Sequence, residues 1–223
     1  MIFIIITIFV DNLCNIMKNK KLIAVITGDL IDSRKVDAAV WMPVLDETLK
    51  QISSRYDIYR GDSFQSEVEL EQAINHLFYI KAKIKSLKNL DVRMTIGIGT
   101  IDYQDTRVRT SAGEAFLHAG ERFDALKKET VAIRSPWPDL DEGVELMLQL
   151  SMEIAGRWTE NMAEAVAVSL QHPDMNQHEL AAVLNRKYQS QVSTELNKAG
   201  YSKIKRVIDY CTEQIVKKCY IQD

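Results

Sequence analysis

Two aspartates are the residues of this chain best suited to hold a metal ion. Asp29 comes just after the apolar run LIAVIT, and Asp62 lies between two short β-type runs. Carboxylates at strand ends sit on stiff backbone, and one or two of them together with phosphate oxygens form Mg²⁺ or Mn²⁺ sites. The pattern predicts a divalent-metal site at Asp29 and Asp62, with Asp32 in reserve. Because Gly-Asp pairs are also typical of turns, a purely structural role stays open.

Residues close to these aspartates could bind a nucleotide or another phosphate ligand. Gly61 and Ser63 flank Asp62 at the predicted turn, and Arg107 and Arg109 lie in a polar loop before a predicted helix. Backbone N–H groups at a helix start and arginine side chains both bind phosphate oxygens. For the two arginines, a solvated loop without a ligand is the alternative.

The elements that must position these residues alternate between strand and helix. Apolar runs and period-two patterns predict strands, and apolar residues at helical spacing predict helices. The predicted elements are strands at 22–27, 56–59, 63–68, 91–101 and 130–135 and helices at 40–53, 69–87 and 111–128. This order predicts an α+β fold, a ferredoxin-like or palm sandwich with a mostly antiparallel sheet. Ser111 and Glu114 match a capping box at the start of the third helix.

Beyond Pro136-Trp137-Pro138 the pattern is helical throughout and includes a predicted helix-turn-helix. Asn176 can cap a short helix at 177–184, a turn follows at 185–188, and a second helix at 189–199 ends at Gly200. Asn185 can adopt the left-handed conformation that such a turn needs. The helices would pack through five apolar residues: Leu180, Ala181, Leu184, Val192 and Leu196.

Polar residues at the start of the second helix indicate DNA binding. Amide and hydroxyl groups can contact base edges, while basic side chains hold phosphates. The candidate base-contacting residues are Gln189, Ser190, Gln191 and Thr194, and the candidate phosphate contacts are Arg186, Lys187, Lys203 and Lys205. Since one small reader buries little surface on DNA, we expect a homodimer. A helical protein-interaction module is the alternative.

Composition and charge set limits on these interpretations. The chain is 46% hydrophobic and 26% charged, as in an ordinary globular protein, and its net charge is −3. This balance excludes a protein built wholly around nucleic acid or an anionic membrane. Residues 176–223 carry eight Lys and Arg against five Asp and Glu, a net charge of +3 that supports phosphate contacts there.

The sequence predicts a cytoplasmic protein of two domains, at 17–136 and 137–223. Three scattered cysteines are typical of a reducing compartment. The apolar run MIFIIITIFV at the start is too short to span a membrane, and no positive charge precedes it as in a signal peptide. We expect residues 1–16 to be a non-native or disordered extension, with translation starting naturally at Met17.

The motif Arg60-Gly61-Asp62-Ser63-Phe64 and the strand Ile96-Gly97-Ile98-Gly99 give residues 22–135 a resemblance to the palm domain of nucleotidyl cyclases. That resemblance implies nucleotide and Mg²⁺ or Mn²⁺ binding, and a cyclase or nucleotidyltransferase as an alternative function. The hairpin departs from the cyclase pattern because Ser63 stands where those enzymes carry a metal-binding glutamate.

The whole chain also resembles the bacterial SatD family, whose name is linked to acid tolerance. The resemblance is carried by the segment AVITGD near the start, GDSFQ in the middle and the terminal helix-turn-helix. It implies a stress-response regulator in which a ligand-binding palm-like domain is joined to a DNA-binding one. A non-catalytic protein-interaction scaffold is the second alternative.

Overall fold

The structure, a computed structural model, describes residues 21–220. The predictions for residues 1–16, Cys14 included, therefore lie outside the described residues. Within 21–220, no helix is long and apolar enough to cross a bilayer.

A five-stranded sheet forms the centre of the α+β fold. Its strands are β1 (Leu22–Ile31), β2 (Tyr56–Tyr59), β3 (Ser63–Val68), β4 (Asp91–Thr100) and β5 (Val131–Arg134). They lie in the order β2-β3-β1-β4-β5, and only the β4–β5 pair is parallel. The first four strands thus form an antiparallel, ferredoxin-like sheet with the predicted hairpin at one edge.

Helices surround the sheet and continue beyond it. In chain order they are α1 (Ala38–Ile52), α2 (Ala73–Lys85), α3 (Glu114–Asp124), α4 (Pro138–Ala155), α5 (Glu160–Gln171), α6 (Gln177–Val183), α7 (Gln189–Lys198) and α8 (Tyr201–Tyr220). Three short 3-10 helices lie at Ser33–Lys35, Leu70–Gln72 and Val108–Thr110. The prediction of helix 69–87 was therefore too long at its start, because Leu70–Gln72 is a separate 3-10 turn.

The central strand β1 is apolar on both sides because helices cover both sheet faces. Ala24 and Ile26 pack into the large core with α1 and α2, whereas Ile23 and Val25 pack against α3. We call the side of β1 that carries Ile23 and Val25 the α3 face. Successive side chains point to opposite faces of a strand, so the odd-numbered residues of β1, Asp29 among them, lie on the α3 face.

Glycines allow α3 to lie directly on this face. A Cβ atom at Gly97 would be 2.2 Å from the Ala115 carbonyl oxygen, so no side chain fits there. The capping prediction for Ser111 was wrong, since α3 begins after Gly113 without a side-chain cap. The Ser111 hydroxyl instead accepts hydrogen bonds from the Asp105 amide (3.0 Å) and Arg55 (3.2 Å), which anchor the preceding loop.

One hydrophobic core connects the sheet with the C-terminal helices. The cluster that contains Ile26 and Leu77 continues through Leu148 and Val166 to Ile215. Pro136 and Pro138 mark where the sheet ends and α4 begins, and the core is continuous across them. The two thiols in this region, Cys211 and Cys219, are free and buried.

Candidate functional site

Asp29 is held by an arginine that the sequence prediction missed. It lies inside β1, two residues before the strand ends, and not at the strand exit as predicted. In the sheet register it is paired with Ser63 on β3 and Arg93 on β4. Both carboxylate oxygens accept hydrogen bonds from Arg93, at 2.6 Å from Nε and 2.7 Å from Nη2.

Asp62 and Asp32 have partners of their own at the same end of the sheet. The Asp62 carboxylate accepts a hydrogen bond from the Ser33 hydroxyl, and its backbone carbonyl accepts one from the Leu30 amide (3.2 Å). Asp32 follows β1 with a φ of 65° and forms an exposed ion pair with Lys35 at 2.9 Å. These contacts account structurally for each of the two carboxylates.

Arg93 is the electrostatic centre of this group. Its hydrogen bonds to Asp29 raise the pKa of its guanidinium, with a further contribution from the nearby negative charge of Asp62. The guanidinium also lies over the ring of Phe123, 5.0 Å from the centroid. The structure therefore brings Asp29 and Asp62 to one end of the sheet, as predicted, beside the cationic side chain of Arg93 on β4.

This arrangement does not fit a two-metal site. Among residues 21–220, no three carboxylate, imidazole or thiol groups come together in a way that could hold a metal ion. A divalent cation at Asp29 would have to compete with a guanidinium that makes two short hydrogen bonds to it. No catalytic step through a metal follows from these residues.

The predicted nucleotide-binding residues lie at separate points on this side of the molecule. Gly61 and Ser63 are in the hairpin. Gly61 has a φ of 92°, and a Cβ atom at this position would meet nothing within 4 Å. Arg107 directly precedes the 3-10 helix Val108–Thr110 and Arg109 lies within it, where the Arg109 amide donates to Asp57 on β2 (3.1 Å). Asp57 is two residues before Tyr59, the register partner of Ser63, so both loops border the same sheet face.

The C-terminal helices form the predicted helix-turn-helix. Asn176 and Glu179 make a capping box at the start of α6. Asn185 has a φ of 53° in the turn, which confirms the left-handed conformation. All five predicted packing residues are buried: Leu180, Ala181, Leu184, Val192 and Leu196. The cause is local, since a capped start, an αL turn and matched apolar faces suffice to specify two short helices.

Arg186 stabilises the helix-turn-helix through largely buried ion pairs. Its guanidinium pairs with Glu195 on α7 (3.1 Å) and Glu164 on α5 (2.9 Å), and it donates to the Leu184 carbonyl (3.0 Å). The Arg186 side chain is only 16% exposed. These contacts tie α5, the turn and α7 together, so the geometry gives Arg186 a structural role, whereas the sequence suggested a phosphate contact.

The other candidate DNA-contacting residues divide into engaged and exposed groups. Gln189 donates to the Gln177 side chain, and Lys205 pairs with Asp209 within α8. The exposed residues are Lys187, Ser190, Gln191, Thr194 and Lys203. The Gln191 side chain also accepts from the Tyr188 amide (3.0 Å) at the start of α7. The first two turns of α7 therefore present polar side chains outward from the unit that α5, α6 and α7 form together.

No protein family matched the chain in a scan of family models, and no curated protein matched its sequence. The resemblance to the SatD family stays a prediction. The function of the chain is therefore inferred from its fold and side-chain geometry.

Proposed function

We propose that the protein is a DNA-binding regulator that acts through its C-terminal helix-turn-helix. The observation that carries the proposal is the outward-facing start of α7, with Ser190, Gln191 and Thr194 on a unit of three packed helices. A recognition helix in the major groove contacts base edges with polar side chains near its N-terminus. The basic net charge of residues 176–223 gives further support.

Phosphate contacts come from exposed lysines on both sides of this helix. Lys187 lies just before α7, and Lys203 lies in the first turn of α8. Both are exposed, whereas Arg186 and Lys205 are already engaged with carboxylates. Such contacts position a reader on the duplex without selecting a sequence, and they make binding depend on salt.

A homodimer is part of this proposal, and an apolar stripe on α4 supports it. Leu146, Met147, Leu150 and Ile154 are between 36% and 59% exposed, and their spacing places them on one side of the helix. The end of α4 is connected to the helix-turn-helix. The indole of Trp158, three residues after α4, donates a hydrogen bond to the Ala199 carbonyl (2.9 Å) at the end of α7. A second copy against this stripe would cover it and fix the spacing of two readers.

Leu150→Glu should convert such a dimer to a monomer in light scattering after size-exclusion chromatography. Leu117→Glu is the matched control, since Leu117 on α3 is 57% exposed against 59% for Leu150. A monomeric wild-type protein, or equal disruption by both variants, would refute the α4 interface.

In this proposal the palm-like sheet is the ligand-binding half of a cytoplasmic protein, for a nucleotide or other phosphate ligand. The support is that the Ser63 hydroxyl and the Arg93 guanidinium lie at one end of the sheet, and that the loop with Arg107 and Arg109 lies beside β2. The Asp29–Arg93 pair and the serine at position 63 favour binding over nucleotidyl transfer. Incubation with nucleoside triphosphates and Mn²⁺, followed by product chromatography, tests this; a cyclised or transferred product would make the chain an enzyme.

Fluorescence anisotropy with a labelled duplex of random sequence tests DNA binding. The logarithm of the binding constant should fall linearly with the logarithm of salt concentration between about 50 and 200 mM, by about 0.9 per phosphate contact. Lys187→Ala and Lys203→Ala should each reduce that slope by about 1. Lys128→Ala is the control. Lys128 is exposed in the loop after α3, and α3 covers the sheet face that is turned away from the C-terminal helices.

Base contacts are tested on a fragment selected from a genomic library by the wild-type protein. Gln191→Ala should weaken binding to that fragment by about 1 to 3 kcal/mol and leave random-sequence binding nearly unchanged. An absence of binding at the lowest salt, or an equal loss of slope in Lys128→Ala, would count against the proposal.

A further inference from the structure

A cavity lies between the sheet-covering helices and the C-terminal helices. Its volume is about 660 Å³, and it is lined by the end of α1, the first half of α2, the end of α5 and one side of α8. Sites for small molecules have volumes of roughly 300 to 1,000 Å³ and are common where two structural units meet. The size and position of this cavity therefore fit a small-molecule site.

Buried polar atoms without partners are concentrated in the walls of this cavity. Among the residues that the structure describes, five have a buried side-chain nitrogen or oxygen without a hydrogen-bond partner. Three of the five, His76, Ser169 and Thr212, line the cavity. Buried polar groups are nearly always hydrogen-bonded in native proteins, and each exception requires an explanation. A bound molecule that supplies the missing partners is such an explanation.

These three residues come from different helices that surround one space. His76 is on α2, Ser169 on α5 and Thr212 on α8, so no local helical motif accounts for their grouping. Ser169 is only 3% exposed. Burial lowers the pKa of His76 to about 4, so its imidazole is neutral near pH 7 and offers one donor and one acceptor.

The charges around the cavity restrict what can bind there. Three carboxylates line it, those of Glu71, Asp209 and Glu213, against the single ammonium group of Lys205. Lys205 pairs with Asp209, and Lys217, which lies outside the lining, pairs with Glu213 at 2.6 Å. The carboxylate of Glu71 is left over and gives the lining one net negative charge. An anionic ligand such as a phosphate ester would be repelled by this negative charge, whereas an uncharged or cationic ligand would not.

The remaining walls supply apolar contact and amide groups. Ile52, Leu170, Ile208 and Val216 are apolar, and the rings of Tyr79 and Tyr201 lie among them. The Tyr201 hydroxyl donates to the Ser169 backbone carbonyl (3.3 Å), which holds its ring at the cavity. Gln51, Gln72, Asn75 and Gln171 contribute side-chain amides. An apolar lining with a few polar groups is typical of a site for an organic ligand with hydrogen-bonding edges.

We propose that this cavity binds a small organic ligand that is uncharged or cationic and bears several hydrogen-bonding groups, of the size of a nucleoside. His76, Ser169 and Thr212 are the residues that orient it. The site is separate from the sheet end at Asp29 and from the exposed start of α7, and it does not depend on DNA binding.

Thermal unfolding of the full chain with matched probes tests the charge selectivity. The probes are the four ribonucleosides and tyramine, compared with the four nucleoside 5′-monophosphates. At least one uncharged or cationic probe should raise the melting temperature with saturation, because a ligand that binds only the folded state stabilises it. Its 5′-monophosphate counterpart, where one exists, should need at least a tenfold higher concentration. No shift with any probe, or an equal shift with the phosphates, would overturn the proposal.

Two serines give a matched pair of variants for locating the site. Ser169 and Ser66 both have a buried hydroxyl without a partner, but only Ser169 lines the cavity. In the absence of a probe, Ser169→Ala and Ser66→Ala should both unfold at the wild-type temperature or above it, because each loses an unsatisfied buried group. Ser169→Ala and Thr212→Val should weaken probe binding at least fivefold, whereas Ser66→Ala should not. Unchanged binding in Ser169→Ala, or equal weakening in Ser66→Ala, would place the probe elsewhere and overturn the proposal.

Discussion

The neutral, buried His76 should make the protein lose stability as the pH falls. Burial alone lowers the pKa of its imidazole from 6.5 to about 4 in the folded protein. Between these two values the unfolded chain binds a proton at this position and the folded protein does not. The free energy of unfolding therefore decreases as the pH falls through this range, and the contribution of His76 is fully present only above pH 6.5.

The size of the effect follows from the pKa difference. One pKa unit corresponds to about 1.4 kcal/mol, so between pH 7 and pH 4.5 the linkage amounts to about 2 kcal/mol for a pKa near 4. Because a typical domain is stable by only about 5 to 15 kcal/mol, a loss of this size is readily measured.

Urea unfolding followed by tryptophan fluorescence at pH 7 and pH 4.5 measures this loss. Other groups also titrate in this range, so the informative quantity is the difference between the wild type and His76→Gln, which has a side chain that does not titrate. The wild type should lose about 2 kcal/mol more than the variant. His178→Gln is the control, since His178 is exposed on α6. Equal losses in the wild type and His76→Gln would refute the assignment of a neutral buried imidazole.

Three further predictions concern positions whose roles the structure defines. Arg186→Met should destabilise the protein by about 2 kcal/mol in urea unfolding, because Glu195 loses its charged partner, while Lys187→Met should change stability by less than about 0.5 kcal/mol. Gly97→Ala should cost at least about 2 kcal/mol because α3 must move away from the sheet; Gly143→Ala, whose Cβ meets nothing within 4 Å in α4, should stabilise by about 0.5 to 1 kcal/mol. The positive charge of Arg93 repels a cation at Asp29, and like charges near a surface repel by a few kcal/mol. Arg93→Gln should therefore tighten Mn²⁺ binding in calorimetry at least about tenfold, with Arg134→Gln as the control. An unchanged affinity in Arg93→Gln would remove Asp29 as a cation ligand.

Much of the fold could be predicted from the sequence because its signals are local. The hairpin strands Tyr56–Tyr59 and Ser63–Val68 have the bounds expected from their β-type runs around Gly61. The helix-turn-helix could be predicted for the same reason, since a capping residue, an αL asparagine and apolar positions at helical spacing act within a few residues of one another. The mostly antiparallel sheet followed from the order of elements.

The candidate sites were harder to predict from the sequence, because their decisive contacts join residues that are distant in the chain. Arg93 follows Asp29 by 64 residues, and only the register of β4 against β1 pairs them. That register is set by the burial of whole strands, and a shift of one residue would turn Arg93 to the other face. Likewise, Arg186 resembled a phosphate contact until the packing of α5 against α7 gave it two carboxylates.

The sequence alone determined the local elements of this protein: the strands, the hairpin, the helices, the cap at Asn176 and the polar start of α7. The tertiary structure alone decided which of the charged residues neutralise one another and where buried polar groups remain without partners. His76, Ser169 and Thr212 come from three helices and meet only because a continuous core brings those helices together. The physical reason is that propensity and capping act over a few neighbouring residues, whereas burial and ion pairing depend on distances that only the folded chain defines.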